Sequence, residues 1–276
     1  MDALDTGVDH LLGRIDGNVA VLSFNRPEAR NALSEQIYVG FDNVLPRIAE
    51  DPAIRVLMIT GENGAFCSGG DVKGMNRTNQ SAAGNARAVS VESHVTGLRR
   101  RQNKVSLALR NLPKPVVAAL PGPAAGAGLS IAFAADLRIA AQSAFIFTAF
   151  SNIGASGDFG TSWFLPRIVG EAKAKELMFL SPRLTSSEAK DLNIVNAVLP
   201  DEGFPAAAVE WCRALAERAP IALRYMKENV NRSLEVGLQQ ALDAEAVAMV
   251  RTMSTADHRE AALAFVEKRA PRFTGE

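Results

Sequence analysis

Twice in this chain a run of apolar residues suited to a buried strand passes into a stretch of glycine and alanine. Val56-Leu57-Met58-Ile59-Thr60 is followed by Ala65-Phe66-Cys67-Ser68-Gly69-Gly70-Asp71, and Val116-Val117-Ala118-Ala119-Leu120 by Gly122-Pro123-Ala124-Ala125-Gly126-Ala127-Gly128-Leu129. Both read as handovers from strand to helix, which restricts the fold to α/β. Small residues at such a handover either let strand and helix pack closely or leave backbone N–H groups bare. Bare N–H groups at helix N-termini carry partial positive charge. Two of them converging on one carbonyl oxygen would stabilise a developing oxyanion.

The rest of the chain fits this reading. Residues 10–25 read as two strands about Asp16-Gly17-Asn18, with Val19, Val21 and Ser23 alternating against Ala20, Leu22 and Phe24. Ser34 is placed to cap a helix that runs to about Glu50, before a strand over 54–60. The stretch 74–88 is small and polar and reads as a mobile loop, followed by a helix over about 89–111. Strands are expected over 114–120, 136–141, 145–148 and 194–199, with an apolar helix over 129–134. Thr185-Ser186-Ser187-Glu188 has the pattern of a capping box. From 203 onward everything reads as helix, so the expected organisation is an α/β core over 1–200 and a helical region over 201–276.

Composition excludes several classes. Lys+Arg and Asp+Glu are each 30, so no bulk charge draws the chain to nucleic acid or to a membrane surface. No apolar run reaches the roughly 20 residues of a membrane span, and the first residues lack a signal-peptide pattern, so a cytoplasmic place is expected. Two cysteines, Cys67 and Cys212, and three scattered histidines, His10, His94 and His258, offer no disulfide framework and no metal spacing. His94 reads as a solvated residue and Cys67 as a small apolar neighbour of its loop. The glycine-rich segments match neither the phosphate-loop nor the dinucleotide pattern. Ser130 is not in a nucleophile elbow.

A third segment, Ile153-Gly154-Ala155-Ser156-Gly157-Asp158-Phe159-Gly160-Thr161, places one acid before a helix that begins near Gly160. Asp158 reads either as a helix-capping carboxylate or as a general base for a carbon acid next to a carbonyl. Aromatic neighbours (Phe147, Phe150, Phe159, Trp163) would raise its pKa by desolvation.

Over essentially its whole length the chain resembles the crotonase superfamily, the enoyl-CoA hydratase/isomerase family. The resemblance is carried by Asn25-Arg26-Pro27-Glu28-Ala29-Arg30-Asn31-Ala32-Leu33, Phe66-Cys67-Ser68-Gly69-Gly70-Asp71, Gly126-Ala127-Gly128, Trp163-Phe164-Leu165-Pro166-Arg167, Ala189-Lys190-Asp191-Leu192-Asn193-Ile194-Val195 and Glu267-Lys268-Arg269-Ala270-Pro271. It implies a spiral of ββα units, with a C-terminal helical region that assembles trimers or dimers of trimers. It implies an acyl-CoA thioester as ligand, coenzyme A being part of the substrate, with no separate cofactor and no metal. By motif position the oxyanion donors are the N–H groups of Ser68 and Ala127. Ala29, Arg30, Ala65, Gly69, Asp71, Val72, Gly126, Ser130 and Phe150 line the ligand, and Arg26, Arg30, Lys73 and Lys268 are candidates for its phosphates.

Against the hydratase pattern, the two glutamates that activate water are replaced by Ser130 and Phe150. Asp158 falls where isomerases and aryl-CoA dehalogenases of the family place their carboxylate, while the dehalogenases' histidine position holds Asn103. The resemblance therefore implies an enoyl-CoA isomerase with Asp158 as the single acid/base. An atypical hydratase and a non-catalytic acyl-CoA-binding protein are the alternatives.

Overall fold

The computed structural model describes residues 2–71 and 90–276, so Val72, Lys73 and the stretch 74–88 lie outside the described residues. The larger sheet runs β1 (Asp2–Ala3), β2 (Leu11–Asp16), β3 (Val19–Phe24), β4 (Val56–Gly61), β5 (Val116–Leu120), β7 (Leu137–Ala141), β10 (Ala197–Leu199). The smaller sheet joins β6 (Ala124–Ala125), β8 (Phe145–Phe147) and β9 (Leu184–Thr185). The β2–β3 hairpin is antiparallel, and every pairing from β3 to β10 in the large sheet is parallel. Parallel strands are covered on both faces, which is why β3, β4 and β5 are almost wholly apolar. The alternation read over Val19–Phe24 accordingly does not mark a half-exposed strand, because all six residues are buried.

Helix α1 (Glu35–Glu50) buries Ile37, Tyr38, Phe41, Val44, Leu45 and Ile48, spaced at three and four residues. Ser34 precedes it, but its hydroxyl pairs with His10 Nδ1 at 2.8 Å and gives the helix no side-chain cap. Helix α2 (Val91–Gln102) starts on Ser90, whose hydroxyl accepts from Ser93 N–H at 3.2 Å. It continues through a π-helical turn, Asn103–Leu107, and ends over Ala108–Asn111. Helix α3 (Gly126–Ala134) is apolar all round and buries all nine of its residues, so it runs through the interior.

Helices α4 (Thr161–Val169), α5 (Glu171–Leu180) and α6 (Ser186–Asp191) follow. Only Ala174 and Leu177 of α5 are buried, and so sparse a stripe gave no sequence signal. The capping box at Thr185 is formed, with its hydroxyl on the Glu188 N–H and the Glu188 carboxylate accepting from the Thr185 N–H at 2.8 Å.

The C-terminal helices are α7 (Phe204–Ala216), α8 (Pro220–Ser233), α9 (Leu238–Met253) and α10 (Ala256–Glu267). Phe204, Val209 and Cys212 of α7 belong to the main core. Helix α8 buries no residue fully and is pinned by Lys227, which pairs with Asp136 at 2.8 Å and donates to the carbonyls of Leu109 and Lys114. Met226, Val230, Leu238, Met249, Val250, Phe265 and Val266 leave apolar side chains exposed along α8–α10. Among the described residues no helix is long and apolar enough to cross a membrane.

Candidate active site

The neighbouring parallel strands β4 and β5, with Leu57 opposite Val116 and Ile59 opposite Ala118, release their chains at the same edge of the sheet. The two small-residue segments therefore emerge side by side. They are laced together by Phe66 N–H to the Pro123 carbonyl at 3.0 Å and Ala125 N–H to the Cys67 carbonyl at 3.0 Å. Gly69, at φ +89°, must be glycine for space as well as conformation. A Cβ there would lie 2.8 Å from Ala125 O and 3.1 Å from Ala127 N. Gly128 lies against Cys67 and is required for space alone, with a Cβ 2.5 Å from the Cys67 carbonyl oxygen.

Ala127 is the second residue of α3, so the helix itself offers no acceptor for its N–H, and no side chain caps the terminus. On the facing segment the expected donor is not free. Ser68 donates its N–H to the Arg30 carbonyl at 3.1 Å and its hydroxyl to the Ala29 carbonyl at 3.1 Å. Gly70, two residues on, has an N–H with no partner among the described residues. Motif position alone pointed to Ser68. The signal for Gly70 was the glycine pair itself, which keeps the loop bare where Ser68 is stapled down.

Residues 26–31 are held against this loop by Asn31. Its fully buried side chain donates to the carbonyls of Glu62 (2.9 Å) and Ala65 (2.8 Å) and accepts from Arg26 N–H (2.8 Å). Ala29, Arg30, Ala65, Ser68 and Gly69 are thus brought together next to Gly126 and Ala127. Asp71 joins them through an ion pair with Arg26 at 2.9 Å, which also occupies one of the candidate phosphate cations. Arg30 is exposed, with φ +50°. Lys268 is exposed at the end of α10. The expected ligand residue Val72 and the cation Lys73 lie outside the described residues.

Asp158 stands on the turn before α4. Its Oδ1 is buried with no hydrogen-bond partner, and burial lifts its carboxyl to about 6. The cause differs in part from the aromatic cluster expected. Phe159 and Phe150 are buried, and the Phe150 ring lies 3.9 Å from where a Gly157 Cβ would be. Trp163, by contrast, is sandwiched between the guanidinium groups of Arg110 (4.2 Å) and Arg167 (3.8 Å), and Phe147 stacks on Phe145.

Ser130 is wholly buried and hydrogen-bonded to the Gly126 carbonyl (3.0 Å) and to Thr161 Oγ1, which in turn reaches the Asp158 carbonyl at 3.1 Å. These two hydroxyls tie the first turn of α3 to the Asp158 turn, so Ser130 acts here as a strut with its bonding capacity committed inside the protein. Tyr38 of α1 lies beside this turn. Burial holds its phenol well above the usual tyrosine range, with Arg101 opposing and Cys67 and Asp158 reinforcing. Burial pushes the Cys67 thiol up to about 12, which leaves it an inert packing group. Asn103 and His94 are exposed. Among the described residues no cluster of His, Cys, Asp and Glu could hold a metal ion.

Two bare N–H groups and a half-buried carboxylate with one enclosed, unpartnered oxygen stand on segments linked through Ser130 and Thr161, a set of groups that can move a proton next to a carbonyl. The comparisons with known proteins agree with that class. The family model for enoyl-CoA hydratase/isomerase matches residues 14–276, and the chain belongs to this family, the crotonase superfamily. It is 34% identical over 269 residues to the 1,2-epoxyphenylacetyl-CoA isomerase of Escherichia coli (strain K12), covering 98% of this chain and 100% of that one. It is 32% identical over 255 residues to a short-chain-enoyl-CoA hydratase of Clostridium acetobutylicum, covering 92% and 93%. The crystal structure of an enoyl-CoA hydratase from Polaromonas sp. JS666 superposes with a TM-score of 0.87 at 33% identity, covering 95% of this chain and 99% of that one.

Proposed function

We propose that this chain is an acyl-CoA isomerase in which Asp158 is the single acid/base. The observation that carries the reading is the half-buried Asp158 carboxyl, its Oδ1 enclosed without a hydrogen-bond partner and its pKa raised to about 6, on a turn tied to the helix that presents Ala127. Asp158 takes the proton from the carbon next to the thioester of a 3-enoyl group. The electron pair moves toward the thioester oxygen, where the N–H groups of Ala127 and Gly70 hold the negative charge. Asp158 then returns the proton two carbons away, giving the 2-enoyl ester. We assign Gly70 in place of Ser68, because the Ser68 N–H is already spent on Arg30.

The positions of the two hydratase glutamates hold a buried phenylalanine and a committed serine, which supports isomerisation over hydration. The isomerase named among the relatives supports the same choice. Ala29, Arg30, Ala65, Gly69, Asp71 and Gly126 are proposed to line the coenzyme A portion, with Val72 beside them. Helices α8–α10, which follow the core-packed α7, are proposed to be the region through which copies of the chain assemble as trimers or dimers of trimers.

The test is turnover of a short 3-enoyl-CoA in deuterated water by wild type and Asp158→Asn. Formation of 2-enoyl-CoA carrying deuterium, abolished in Asp158→Asn while CoA-ester binding persists, is the expected result. Appearance of only 3-hydroxyacyl-CoA from the 2-enoyl ester would make it a hydratase. Binding with no turnover of either would make it a carrier of acyl-CoA.

A further inference from the structure

The Asp158 side chain poses a question about aim. Its Oδ1 has no hydrogen-bond partner, so no side-chain bond to that oxygen sets the direction in which the carboxylate points. Direction must come largely from the backbone it stands on, and that backbone is strained. Phe159 has φ +49°, between Gly157 at +105° and Gly160 at +89°. For a bulky aromatic residue a left-handed conformation is strained and persists only where the surroundings impose it.

The surroundings that impose it come chiefly from one helix. Gln102 Oε1 accepts the Phe159 N–H at 2.9 Å, and the Ser106 hydroxyl donates to the Phe159 carbonyl at 2.8 Å. Both polar groups of this one residue are therefore held by side chains four positions apart on α2 and its π-helical turn. Ser106 is 5% exposed. The Phe159 ring closes the arrangement by stacking on Tyr38, with centroids 5.9 Å apart and planes at 9°. Irregular turns of this kind inside helices tend to occur at functional sites. Neither Gln102 nor Ser106 is positioned by the sequence motifs that mark the rest of the site.

We propose that Gln102 and Ser106 are positioning residues, which aim Asp158 by clamping Phe159 in its left-handed conformation. The proposal rests on Asp158 being the acid/base. Releasing either end of the clamp lets Phe159 relax toward negative φ, which turns the carboxylate away from its buried setting and toward solvent. Tyr38, the titratable group that interacts with Asp158, does not obscure that change, because burial keeps its phenol neutral well above neutral pH.

The experiment compares wild type, Ser106→Ala, Gln102→Met, the conservative Ser106→Thr, and Asp158→Asn. The carboxyl of Asp158 is titrated in each ligand-free protein by infrared spectroscopy, with Asp158→Asn as the subtraction reference. Turnover of the 3-enoyl-CoA is measured alongside. The expected result is an Asp158 titration that falls from about 6 toward the ordinary aspartate range in Ser106→Ala and Gln102→Met and stays in place in Ser106→Thr. Turnover should show kcat lowered about 10- to 100-fold with KM nearly unchanged, the size expected for a misaimed group.

Titration and kcat unchanged in folded Ser106→Ala and Gln102→Met would overturn the clamp. So would losses in which kcat and KM move together in step with thermal stability. If Ser106→Ala does not fold, Gln102→Met decides alone, since Gln102 is only partly buried. The two readings fail differently. Turnover surviving in Asp158→Asn removes the acid/base reading, whereas a dead Asp158→Asn beside wild-type-like clamp variants removes only the clamp.

Discussion

At the scale of single residues, the site sets stability against chemistry. A carboxyl raised from 3.8 to about 6 by burial penalises its charged form in the folded state. The unfolded chain binds fewer protons than the native one between those values, so stability rises as pH falls from about 6 toward 4 and carries the full penalty above 6. At about 1.4 kcal/mol per unit this penalty is on the order of 2–3 kcal/mol at neutral pH. Asp158→Asn should therefore melt a few degrees higher than wild type at pH 7.5, a gain that shrinks at pH 4.5, while the proposed isomerase turnover disappears. Calorimetry at the two pH values checks it. The pH profile of kcat should fall on its acidic side near 6.

A second residue-scale expectation concerns Gly69→Ala, whose Cβ would press on Ala125 O and Ala127 N. Catalysis should drop about 10²- to 10³-fold, the cost of disturbing one oxyanion donor, with the fold retained. Initial rates beside a circular-dichroism melt would show it. The uncapped helix start at Ala127 and the tight glycine at Gly69 were legible in the sequence because small residues stand out after apolar strands, and Asp158 because it is the one acid before its helix. The free N–H of Gly70 was not, because which N–H of the loop is free depends on Arg30, a neighbour in space 38 to 40 positions away.

At the scale of elements, local chemistry decided which boundaries could be read. The box at Thr185 formed as written, since both of its hydrogen bonds lie within four residues. Thr185→Ala should cost about 1 kcal/mol with activity unchanged, measurable as a shift in urea midpoint. Ser34 had the same credentials but turned to His10, 24 residues away. A cap is a competition, and a partner brought in by the fold can win it. The π-helical turn at Asn103–Leu107 was illegible for a related reason. The periodicity of Leu98, Val105 and Leu109 records a stripe turned toward the core, partly buried at Leu98 and fully at the other two, and says nothing of one widened turn.

At the scale of the whole molecule, the α/β class followed from apolar strand runs separated by helices, and the run of C-terminal helices from its uniform pattern, while the strand order β3-β4-β5-β7 came only from the fold. Where the core ends did not follow, because α7 is amphipathic like its successors yet packs on the sheet. The exposed apolar side chains of α8–α10 are the surface on which assembly is proposed. Sedimentation should find a trimer or hexamer, and Met249→Glu with Phe265→Glu should shift it toward monomer. A wild-type monomer at micromolar concentration would remove that assignment.

The adjacency of β4 and β5 has a further consequence. On the proposed assignment their two loops supply one donor each, so a thioester oxygen held between Gly70 and Ala127 would bridge neighbouring strands whose pairing closes a separation of 59 residues at Leu57 and Val116. A slip of one residue would part the donors by about 3.3 Å. The ligand can therefore bind only to the correctly registered sheet, and it acts as a reversible crosslink on it. Amide exchange at Leu57–Ile59 and Val116–Ala118 should slow in the presence of a CoA thioester, by the factor that ligand saturation allows.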